Sequence, residues 1–349
     1  MRLSNLRKEI EEVDGFLITK LTNIRYLVGF TGSSGVLLVT QGEAIFFTDF
    51  RYKEQSKREI KEAETFIIKE SLFKEVAKHP IFKSLKRIGF EEELKYSNYE
   101  LLKKELKNKK LLPLKDKVEN LRSIKDEREI KNIKTSAKIA DSAFKSIRDL
   151  IPKSIIRPGV KEESIATELD YQLRKEGASR NSFETIVASG PNAALPHARA
   201  GKRKLAPGDT IIIDFGALYN GYASDMTRTL ILGDNPKANE IYKIVLNAQL
   251  TAINNVKPGV QLKELDRIAR DAITSSGYGE YFGHSLGHGV GLEIHEAPMV
   301  SANSEEVAQK GMVFTIEPGI YLPGKLGVRI EDMVLVTDTG AELITQSPK

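Results

Sequence analysis

The chain has 349 residues, which at roughly 100–200 residues per domain predicts two domains, and its 40% hydrophobic and 29% charged residues exclude a long disordered protein. The absence of cysteine excludes disulfides, thiolate metal sites and cysteine nucleophiles, so a metal ion must be held by His, Asp, Glu or backbone oxygen. The net charge of +5 comes from the first part of the chain, where Lys and Glu alternate as on a solvated helix face rather than forming a basic surface for nucleic acid.

Short apolar runs alternate with polar helical stretches over the first third of the chain, which is the pattern of a small α/β domain with a mixed sheet. We predict strands at 16–19, 36–39, 44–47 and 88–90, and helices at 51–60, 72–85 and 98–106. The loop at 32–35 lacks the Gly-Lys-Ser/Thr ending of a phosphate-binding loop, so it is interpreted as a hairpin-type turn. Pro113 and the charged stretch after it place a boundary at 113–125, and we predict domains at 1–122 and 123–349.

A long helix is predicted after the boundary, because apolar residues recur three and four positions apart from Ile130 to Ile151, where Pro152 ends the pattern. The chain then repeats a pattern. Pro-Gly-Val at 158–160 starts a helix that runs to position 177, and Pro-Gly-Val at 258–260 starts one that runs to position 277. A longer helix precedes each, at about 127–151 and 238–256. We expect two related halves packed about a pseudo-twofold axis, with a site in the cleft between them.

Two aspartates flank a predicted hairpin in the first of these halves. Asp214 lies in an apolar strand, Asp225 lies in the strand that follows, and Asn220-Gly221 between them is the sequence of a type I′ turn. The register of a two-residue loop pairs Gly216 with Asp225 and Asp214 with Thr227. The two carboxylates then share one face, about 7–8 Å apart at Cα. Because a buried, unpaired carboxylate is costly, the pair predicts one metal ion or two adjacent ions.

Three of the five histidines lie within twelve positions of each other in the second half: His284, His288 and His295. The first two are four apart, but Ser285 stands where the His-Glu-x-x-His zinc helix requires Glu, and the density of glycine argues against a helix. Glycines allow the backbone to approach a ligand closely. The cluster therefore predicts a binding or catalytic site.

Glu317 and Glu331 each lie in an apolar strand, and a hairpin centred near Gly324 would bring them opposite each other. Like charges so placed repel, and a dication between them turns the repulsion into binding. With the aspartates and one histidine, they form an oxygen-rich ligand set that suits Mn²⁺, Co²⁺, Fe²⁺ or Zn²⁺ in a two-metal arrangement. Two adjacent metals ionise water and polarise a carbonyl, which is the chemistry of amide hydrolysis without a covalent intermediate.

The order Asp214, Asp225, His288, Glu317, Glu331 resembles the ligand set of the pita-bread metallopeptidases, the family of methionine aminopeptidase, aminopeptidase P and prolidase. The resemblance covers the whole chain and is strongest to the short bacterial and archaeal Xaa-Pro dipeptidases and aminopeptidases P. It implies an α+β fold, with a pita-bread catalytic domain of pseudo-twofold halves preceded by a creatinase-like α/β N-terminal domain. It also implies two divalent ions per subunit, with Mn²⁺ expected first and Co²⁺, Fe²⁺ or Zn²⁺ as alternatives.

The resemblance further implies that two ligands bridge both ions, namely Asp225 and Glu331. Asp214 would complete one metal site, and His288 with Glu317 would complete the other. Glu317 would also hold or deprotonate the bridging water, and the resulting hydroxide would attack the Xaa-Pro bond.

Three other histidines acquire substrate roles from the same resemblance. His197, in Leu-Pro-His-Ala, would bind substrate, and His284 would stabilise the developing oxyanion. His295 would bind substrate and take part in proton transfer.

One departure concerns the recognition of a dipeptide. Some prolidases carry an arginine between the ligand His and the first ligand Glu to grip the free carboxylate, but residues 289–316 contain none, and Met299 stands where it is expected. Arg329 remains either to bind that substrate carboxylate or to orient a metal carboxylate. The expected activity is that of an Xaa-Pro dipeptidase, with an Xaa-Pro aminopeptidase acting on longer peptides as the alternative.

Two other classes of function are considered. Residues 283–287 match the G-x-S-x-G motif of serine hydrolases, but that motif requires a strand, a sharp turn and a helix, followed by an acid and a histidine. Only His288 and His295 follow Ser285, too close for that order. A pita-bread fold that has lost its metals can serve as a binding protein, but here all five ligand positions are intact, which favours an enzyme.

No apolar run approaches the ~18 residues of a membrane span, and the N-terminus lacks the apolar region of a signal peptide. We therefore expect a cytoplasmic enzyme whose partners are short proline-containing peptides rather than nucleic acid or a membrane. The resemblance implies a homodimer.

Overall fold

The computed structural model describes residues 1–148 and 156–349, so the predicted helix residues Ile151 and Pro152 lie outside the described part of the chain. The described residues divide into two units, Met1–Arg122 and Ser123–Lys349. Among the described helices, none combines the length and the apolar composition that a membrane crossing needs. Each unit has its own sheets and core.

The first unit is built on a single sheet. Its strands are β1 (Gly15–Ile18), β2 (Val36–Thr40), β3 (Ala44–Asp49), β4 (Glu64–Ile68), β5 (Arg87–Glu91) and β6 (Lys110–Leu114). The helices over this part of the chain are α1 (Arg2–Glu9), α2 (Leu21–Val28), α3 (Lys53–Glu59), α4 (Leu72–Lys78), α5 (Tyr96–Glu105) and α6 (Lys117–Ser123). The strand order is β4-β3-β2-β1-β5-β6, and β1–β2 and β2–β3 are antiparallel while the other pairs are parallel. The prediction of a mixed sheet is confirmed.

The four strands predicted in this unit are present, and the two that were not predicted, β4 and β6, lie at the sheet edges. Edge strands are partly exposed and lack the continuous apolar runs on which the prediction relied. Pro113 lies inside β6, which an edge strand tolerates because one of its sides needs no N–H donors. The helix predicted at 72–85 is too long. It ends at Lys78, because Pro80 cannot continue it, and residues 80–83 form a separate 3₁₀ turn.

The second unit contains four helices and thirteen strands in its described residues. The helices are α7 (Glu127–Arg148), α8 (Glu162–Lys175), α9 (Pro236–Asn254) and α10 (Leu262–Ser275). The strands before α9 are β7 (Arg180–Asn181), β8 (Ile186–Ser189), β9 (Thr210–Phe215), β10 (Ala217–Tyr219), β11 (Tyr222–Ala223) and β12 (Met226–Ile231). Those after α10 are β13 (Gly287–Gly289), β14 (Glu296–Val300), β15 (Val313–Ile316), β16 (Gly319–Leu322), β17 (Leu326–Arg329), β18 (Asp332–Val336) and β19 (Ala341–Leu343).

The sequence repeat in this unit is also a repeat of hydrogen bonds. The amide of Gly159 donates to Leu205 O at 2.8 Å, and the amide of Gly259 donates to Ala308 O at 2.9 Å. The return bonds, to Val160 O and Val260 O, are both 2.8 Å long. Each glycine adopts a positive φ, 86° and 88°, that other residues rarely take. The expected pair of related halves, each with a long helix, a Pro-Gly-Val turn and a shorter helix, is confirmed.

Each half buries its helices against its own strands. The apolar face of α7 and α8 packs on β8 and β9 through a core that includes Phe144, Leu169 and Ile213. The faces of α9 and α10 pack on β15 to β18 through a second core that includes Val245, Leu265 and Phe314. The candidate ligands therefore lie on or directly beside strands, most of which are packed against helices.

The first hairpin of the site, formed by β9 to β12, follows the predicted register. Asn220 and Gly221 make its turn with φ values of 48° and 82°, the left-handed region that a type I′ turn requires. Asp214 pairs with Thr227, as predicted.

The predicted pair of Gly216 with Asp225 falls where the described ladder is interrupted. The pairs on either side share one register, which places these two residues opposite each other, but the ladder has no pair at this point. A Cβ on Gly216 would lie 1.8 Å from the carbonyl oxygen of Ser224, so the backbones approach too closely for a regular pair. The amide of Asp225 donates instead to Sδ of Met333 at 3.2 Å. Asp225 thus lies in the gap between β11 and β12.

The second hairpin has the same kind of interruption. β15 pairs with β18 and β16 pairs with β17 in one common register, which places Glu317 opposite Glu331 in the gap between the two pairs. The amide of Glu317 donates to Leu286 O at 2.8 Å, and the amide of Glu331 donates to Thr227 O at 3.1 Å. At each gap, amides that have no partner strand in the ladder donate to a neighbouring segment instead. The bonds from Asp225 to Met333 and from Glu331 to Thr227 join the two hairpins.

Candidate active site

Three of the predicted ligands converge on one point. Asp225, His288 and Glu331 are buried, and one ligating atom of each lies within 4.8 Å of the others. Nε2 of His288 is 3.6 Å from Oδ2 of Asp225 and 3.3 Å from Oε1 of Glu317. Glu317 therefore lies beside the same cluster, and its position follows from the strand gap described above.

Asp214, the remaining candidate ligand, is held on one side. Its Oδ2 accepts a hydrogen bond from Nη2 of Arg329 at 2.6 Å, while its Oδ1 is buried without a hydrogen-bond partner. Thr227, directly opposite in the hairpin, donates from Oγ1 to Oε2 of Glu331 at 2.7 Å. A buried carboxylate oxygen with no partner is costly, and a bound cation would remove that cost.

The carboxylates of the cluster repel one another, and the positive groups of the protein around them do not offset this repulsion. Burial, followed by the repulsion from neighbouring carboxylates, raises the pKa of Asp225 and of Glu331 well above the usual range. Burial also raises the pKa of Asp214, although Arg329 opposes this shift. Burial disfavours the charge on Glu317 as well, but the hydrogen bond and positive charge of His288 outweigh it and lower the pKa of Glu317.

His288 is oriented for metal binding. Its Nδ1 lies 3.2 Å from the carbonyl oxygen of Gly289, which can only accept, so Nδ1 carries the proton. Nε2 is protonated when it donates to Glu317, and a cation that displaces this proton would meet a lone pair directed at the carboxylates, in the tautomer that ligating histidines adopt. The donor set, the partnerless Asp214 oxygen and this tautomer together fit divalent metal ions.

The five candidate ligands line a cavity of about 430 Å³ that also contains the other predicted site residues, His197, His284, His295 and Arg329. The rest of its wall is largely apolar and includes Phe183, Ile186, Pro196, Ile294 and Met299. A cavity of this kind, with a few convergent polar groups on an apolar wall, is typical of a small-ligand site.

His284 is half-buried and hydrogen-bonded at both ring nitrogens, and its partial burial lowers its pKa. Its Nδ1 lies 2.8 Å from the carbonyl oxygen of Ser285, and its Nε2 lies 3.0 Å from the hydroxyl of Tyr321. That hydroxyl accepts a hydrogen bond from Nη1 of Arg329 at 2.9 Å. A polar chain thus joins Asp214, through the guanidinium and the phenol, to the imidazole of His284.

Helix α10 fixes the backbone that carries His284. Asp266 and Arg270, one turn apart, form a two-point ion pair with both distances 3.0 Å. The arginine donates to the carbonyl oxygens of Phe282 and His284 at 2.8 and 3.0 Å, and Asp266 accepts from the amide of Leu286 at 3.1 Å. This pair therefore holds the segment that connects α10 to β13.

Helix α8 fixes the loop that carries His197. This histidine is exposed and lies after β8. The buried carboxylate of Glu162, at the first residue of α8, accepts from the amide and hydroxyl of Ser189 at 2.8 and 2.7 Å. It also accepts from the side chain of Asn192 at 3.2 Å and from the amide of Gly201 at 3.3 Å. One carboxylate thus ties both ends of the loop that bears His197.

Sequence reasoning missed several of these groups. Tyr321, Thr227 and the apolar wall contact the site without any distinctive motif of their own. Thr227 could have been found, because the predicted register already placed it opposite Asp214. The serine hydrolase alternative is excluded by the local structure, since Ser285 is followed by strand β13 and not by the helix that a nucleophile elbow requires.

Comparison with known proteins identifies the family. Residues 131–338 match the model of metallopeptidase family M24, and residues 2–124 match the model of the creatinase/prolidase N-terminal domain. The chain belongs to metallopeptidase family M24. It is therefore a metallopeptidase, and family membership implies divalent metal ions. The expected α+β fold, a pita-bread M24 domain preceded by a creatinase-like domain, is confirmed.

Relatives of this M24 peptidase match it over nearly its full length. A Pyrococcus horikoshii protein named Xaa-Pro dipeptidase is 41% identical over 338 residues, which cover 97% of this chain and 94% of that protein. A solved structure titled Xaa-Pro dipeptidase, from Bacillus anthracis, has a TM-score of 0.96 and 45% identity, with 100% of this chain and 98% of that chain covered. The X-Pro aminopeptidase from Thermotoga maritima MSB8 has a TM-score of 0.89 and 38% identity, with 98% of each chain covered. The M24 fold is thus shared by relatives of both specificities.

Proposed function

We propose that this M24 peptidase is an Xaa-Pro dipeptidase that hydrolyses the bond before proline at the N-terminus of dipeptides or short peptides. One observation carries the proposal: four carboxylates and one imidazole converge in a cavity whose remaining wall is largely apolar. The relatives named Xaa-Pro dipeptidase support the choice of substrate. We also retain 1–122 and 123–349 as the proposed domains.

The proposed cofactor is a pair of divalent ions. Four carboxylates carry more negative charge than one dication neutralises, which supports two ions rather than one. The set is rich in hard oxygen donors with a single imidazole, so Mn²⁺ is proposed first, with Co²⁺, Fe²⁺ or Zn²⁺ as alternatives. Asp225 and Glu331 would bridge the ions, Asp214 would complete one site, and His288 with Glu317 would complete the other.

Bound ions would supply the Lewis acidity that ionises water near neutral pH and polarises the scissile carbonyl. Glu317 is proposed as the general base, because its carboxylate lines the cavity beside the other ligands, 3.3 Å from Nε2 of His288, where it can take a proton from the attacking water. His284 would stabilise the oxyanion. This role would use Nε2, the ring nitrogen that lies 3.0 Å from the hydroxyl of Tyr321, because Nδ1 is bonded to the carbonyl oxygen of Ser285.

The substrate would lie between the metal ligands and the exposed side of the cavity. His197 and His295 line the cavity and are exposed, so both are proposed to bind the peptide, and His295 also to transfer a proton. The proline ring would pack on Phe183, Ile186 and Ile294, since burial of an apolar ring is favourable by about 25 cal/mol per Å².

A second candidate, an Xaa-Pro aminopeptidase, is favoured by one observation. Arg329 is the only lysine or arginine among the described residues that line the cavity, and its side chain is 4% exposed. Its guanidinium already contacts Asp214, Tyr321, Thr227 and the carbonyl oxygen of Pro196. These contacts support the orienting role of Arg329 over a grip on substrate. A longer peptide, which has a neutral amide after proline, needs no such cation.

The experiment that tests the function measures release of the first amino acid from Ala-Pro and from Ala-Pro-Ala, after loading with Mn²⁺ and again after chelation. Cleavage of the dipeptide alone supports the dipeptidase, and cleavage of the tripeptide as well supports the aminopeptidase. Activity that survives chelation would contradict the metal mechanism. Cleavage of neither peptide with metal bound would contradict the proposed substrate class and support a binding protein.

We further propose, from the family resemblance, that the chain acts as a homodimer in the cytoplasm. Light scattering of the purified chain tests the oligomeric state. A monomer at working concentration that retains full activity would contradict the dimer.

A further inference from the structure

The segment between β13 and β14 carries His295 but has no regular structure to hold it. Residues 290–295 form neither helix nor strand, and His295 is exposed while lining the cavity. The ring of His295 meets the ring of His288 edge-on, with the two centroids 4.2 Å apart. A side chain placed this closely to a ligand needs its backbone fixed by contacts from elsewhere in the chain.

Glu296, the next residue, provides such contacts. Its Oε1 lies 2.9 Å from Nζ of Lys125, and its Oε2 accepts a hydrogen bond from the amide of Glu293 at 3.2 Å. A Cβ on Gly291 would lie only 2.2 Å from Oε1, so the glycine makes room for the carboxylate. The carboxylate therefore contacts the segment at its start and middle while it is bound to a distant lysine.

Lys125 is itself fixed both at its backbone and at the end of its side chain. Its amide donates to the carbonyl oxygen of Gly311 at 2.9 Å, and its Nζ donates to the carbonyl oxygen of Ser123 at 3.2 Å. The side chains of Lys125 and Glu296 are only 1% and 4% exposed. Removing one member of such a pair takes a stabilising charge from a buried partner, so the contact is strongly constrained, unlike an ion pair at the surface.

We propose that the Lys125–Glu296 ion pair positions His295 for the substrate, which makes Lys125 a positioning residue of the active site. The role of His295 toward substrate rests on the proposed function, whereas the anchoring of residues 290–296 rests on the contacts alone. A displaced imidazole would weaken binding of the peptide while the metal ligands stay in place.

Lys125→Met tests the proposal, because methionine keeps the length of the side chain and removes its charge. We expect KM for Ala-Pro-Ala to rise about tenfold, since a displaced His295 would lose about one binding contact to the peptide, with kcat changed less than KM. Hydrogen exchange of the peptide covering 290–300 should become faster. A Lys125→Met protein with the wild-type KM and wild-type exchange in 290–300 would overturn the proposal.

Lys134→Met is the matched control. Lys134 pairs with Glu342 at 2.6 Å in the same unit, but the two side chains are 40% and 46% exposed. The same substitution there should change neither KM nor exchange in 290–300. An equal rise of KM in the control would overturn the specific role of Lys125.

A second variant covers the case in which Lys125→Met fails to fold. Lys125→Met combined with Glu296→Leu removes both charges of the pair, which costs less stability than removing one, so the fold should be retained. KM should stay raised in this variant, because the anchor is still missing. Recovery of both Tm and KM to wild-type values would show a purely structural pair and overturn the proposal.

The experiments distinguish a failure of the proposed function from a failure of the positioning role of Lys125. If the metal-loaded wild-type chain cleaves no Xaa-Pro peptide, the proposed function is wrong, and exchange in 290–300 alone then decides whether Lys125 anchors the segment. If the wild-type chain cleaves the peptides and Lys125→Met behaves as wild type in both measurements, only the positioning role is wrong.

Discussion

Arg329 donates from Nη2 to Oδ2 of Asp214 at 2.6 Å, while Oδ1 of the same carboxylate is buried without a hydrogen-bond partner. The guanidinium thus fixes one oxygen of the carboxylate and leaves the other for a cation. Because the same guanidinium donates to Tyr321, which contacts His284, a single arginine orients both a proposed metal ligand and a proposed oxyanion group.

Arg329→Lys should therefore impair the site although the charge is retained. Lysine is a point charge and cannot make the separate contacts of the planar guanidinium. We expect metal content and kcat/KM each to fall about 10- to 100-fold, as is typical when a partner of a metal ligand is lost. Elemental analysis measures the metal content, and initial rates on Ala-Pro-Ala measure kcat/KM. Wild-type metal content in this variant would contradict the orienting role.

Glu331→Gln and Asp225→Asn should abolish activity and retain the fold. Each removes one carboxylate whose pKa is raised by burial and by repulsion from neighbouring carboxylates, so the metal-free variant should be at least as stable as the wild-type chain. Mn²⁺ should raise the Tm of the wild-type chain and not that of the variants. Thermal unfolding with and without Mn²⁺ measures this, with Glu342→Gln as an exposed control. Full activity in either variant would refute the ligand assignment.

Met299→Arg should shift the specificity toward dipeptides. The side chain is 46% exposed and lines the cavity, so an arginine there can reach the free carboxylate of a bound Ala-Pro. We expect the ratio of kcat/KM for Ala-Pro over Ala-Pro-Ala to rise about tenfold, which corresponds to a single charge-assisted contact. Met299→Gln, polar but uncharged, is the control. An equal change in both variants would mean that charge is not the cause.

Arg270→Met should lower catalysis through the backbone of His284. The arginine donates to two carbonyl oxygens of the segment that holds this histidine, and methionine donates to neither. We expect kcat to fall about tenfold, because the proposed oxyanion group moves. Arg267→Met, one turn earlier on the same helix and 61% exposed, should behave as wild type. The prediction fails if the two variants show the same rate.

Asp14→Asn should cost stability at neutral pH but not at pH 2. The amides of Arg87 and Lys86 and then the Arg87 side chain lower the pKa of Asp14 from 3.8 to about 2. A lowered pKa in the folded state stabilises it above pH ~4, and this contribution disappears as the pH falls toward 2. Urea unfolding should show a loss of about 1 kcal/mol at pH 7, the usual value for such partly exposed bonds. If the free energies of unfolding of the variant and the wild-type chain still differed at pH 2, the ionised carboxylate of Asp14 would not be the cause.

The parts of the site that could be predicted from the sequence are those fixed by local register. An Asn-Gly turn determines which residues face each other along a hairpin, so Asp214 opposite Thr227 followed from the spacing alone. The same holds for Glu317 opposite Glu331, because the residues between them fold symmetrically about the turn at Gly324.

The contacts that could not be predicted join positions far apart in the chain. Nothing near Lys125 in the sequence indicates that its charge is buried against Glu296, because burial depends on packing around the residue and not on its neighbours in the chain. The interruption of the ladder at Gly216 and Asp225 has the same cause. The amide of Asp225 finds Met333 across the hairpins, a competitor that local register does not include.

The turn at Pro323 and Gly324 is exposed and contacts none of the ligands in the hairpin that it closes, yet it sets their geometry. Side chains alternate faces along a strand, so one added residue in this turn would point Glu331 away from Glu317 while leaving the composition of the strand unchanged. Two added residues would restore the face but shift the carboxylate along the strand by about 7 Å. The length of a surface loop is thus constrained as tightly as the identity of a ligand, and insertions here should be far less tolerated than substitutions.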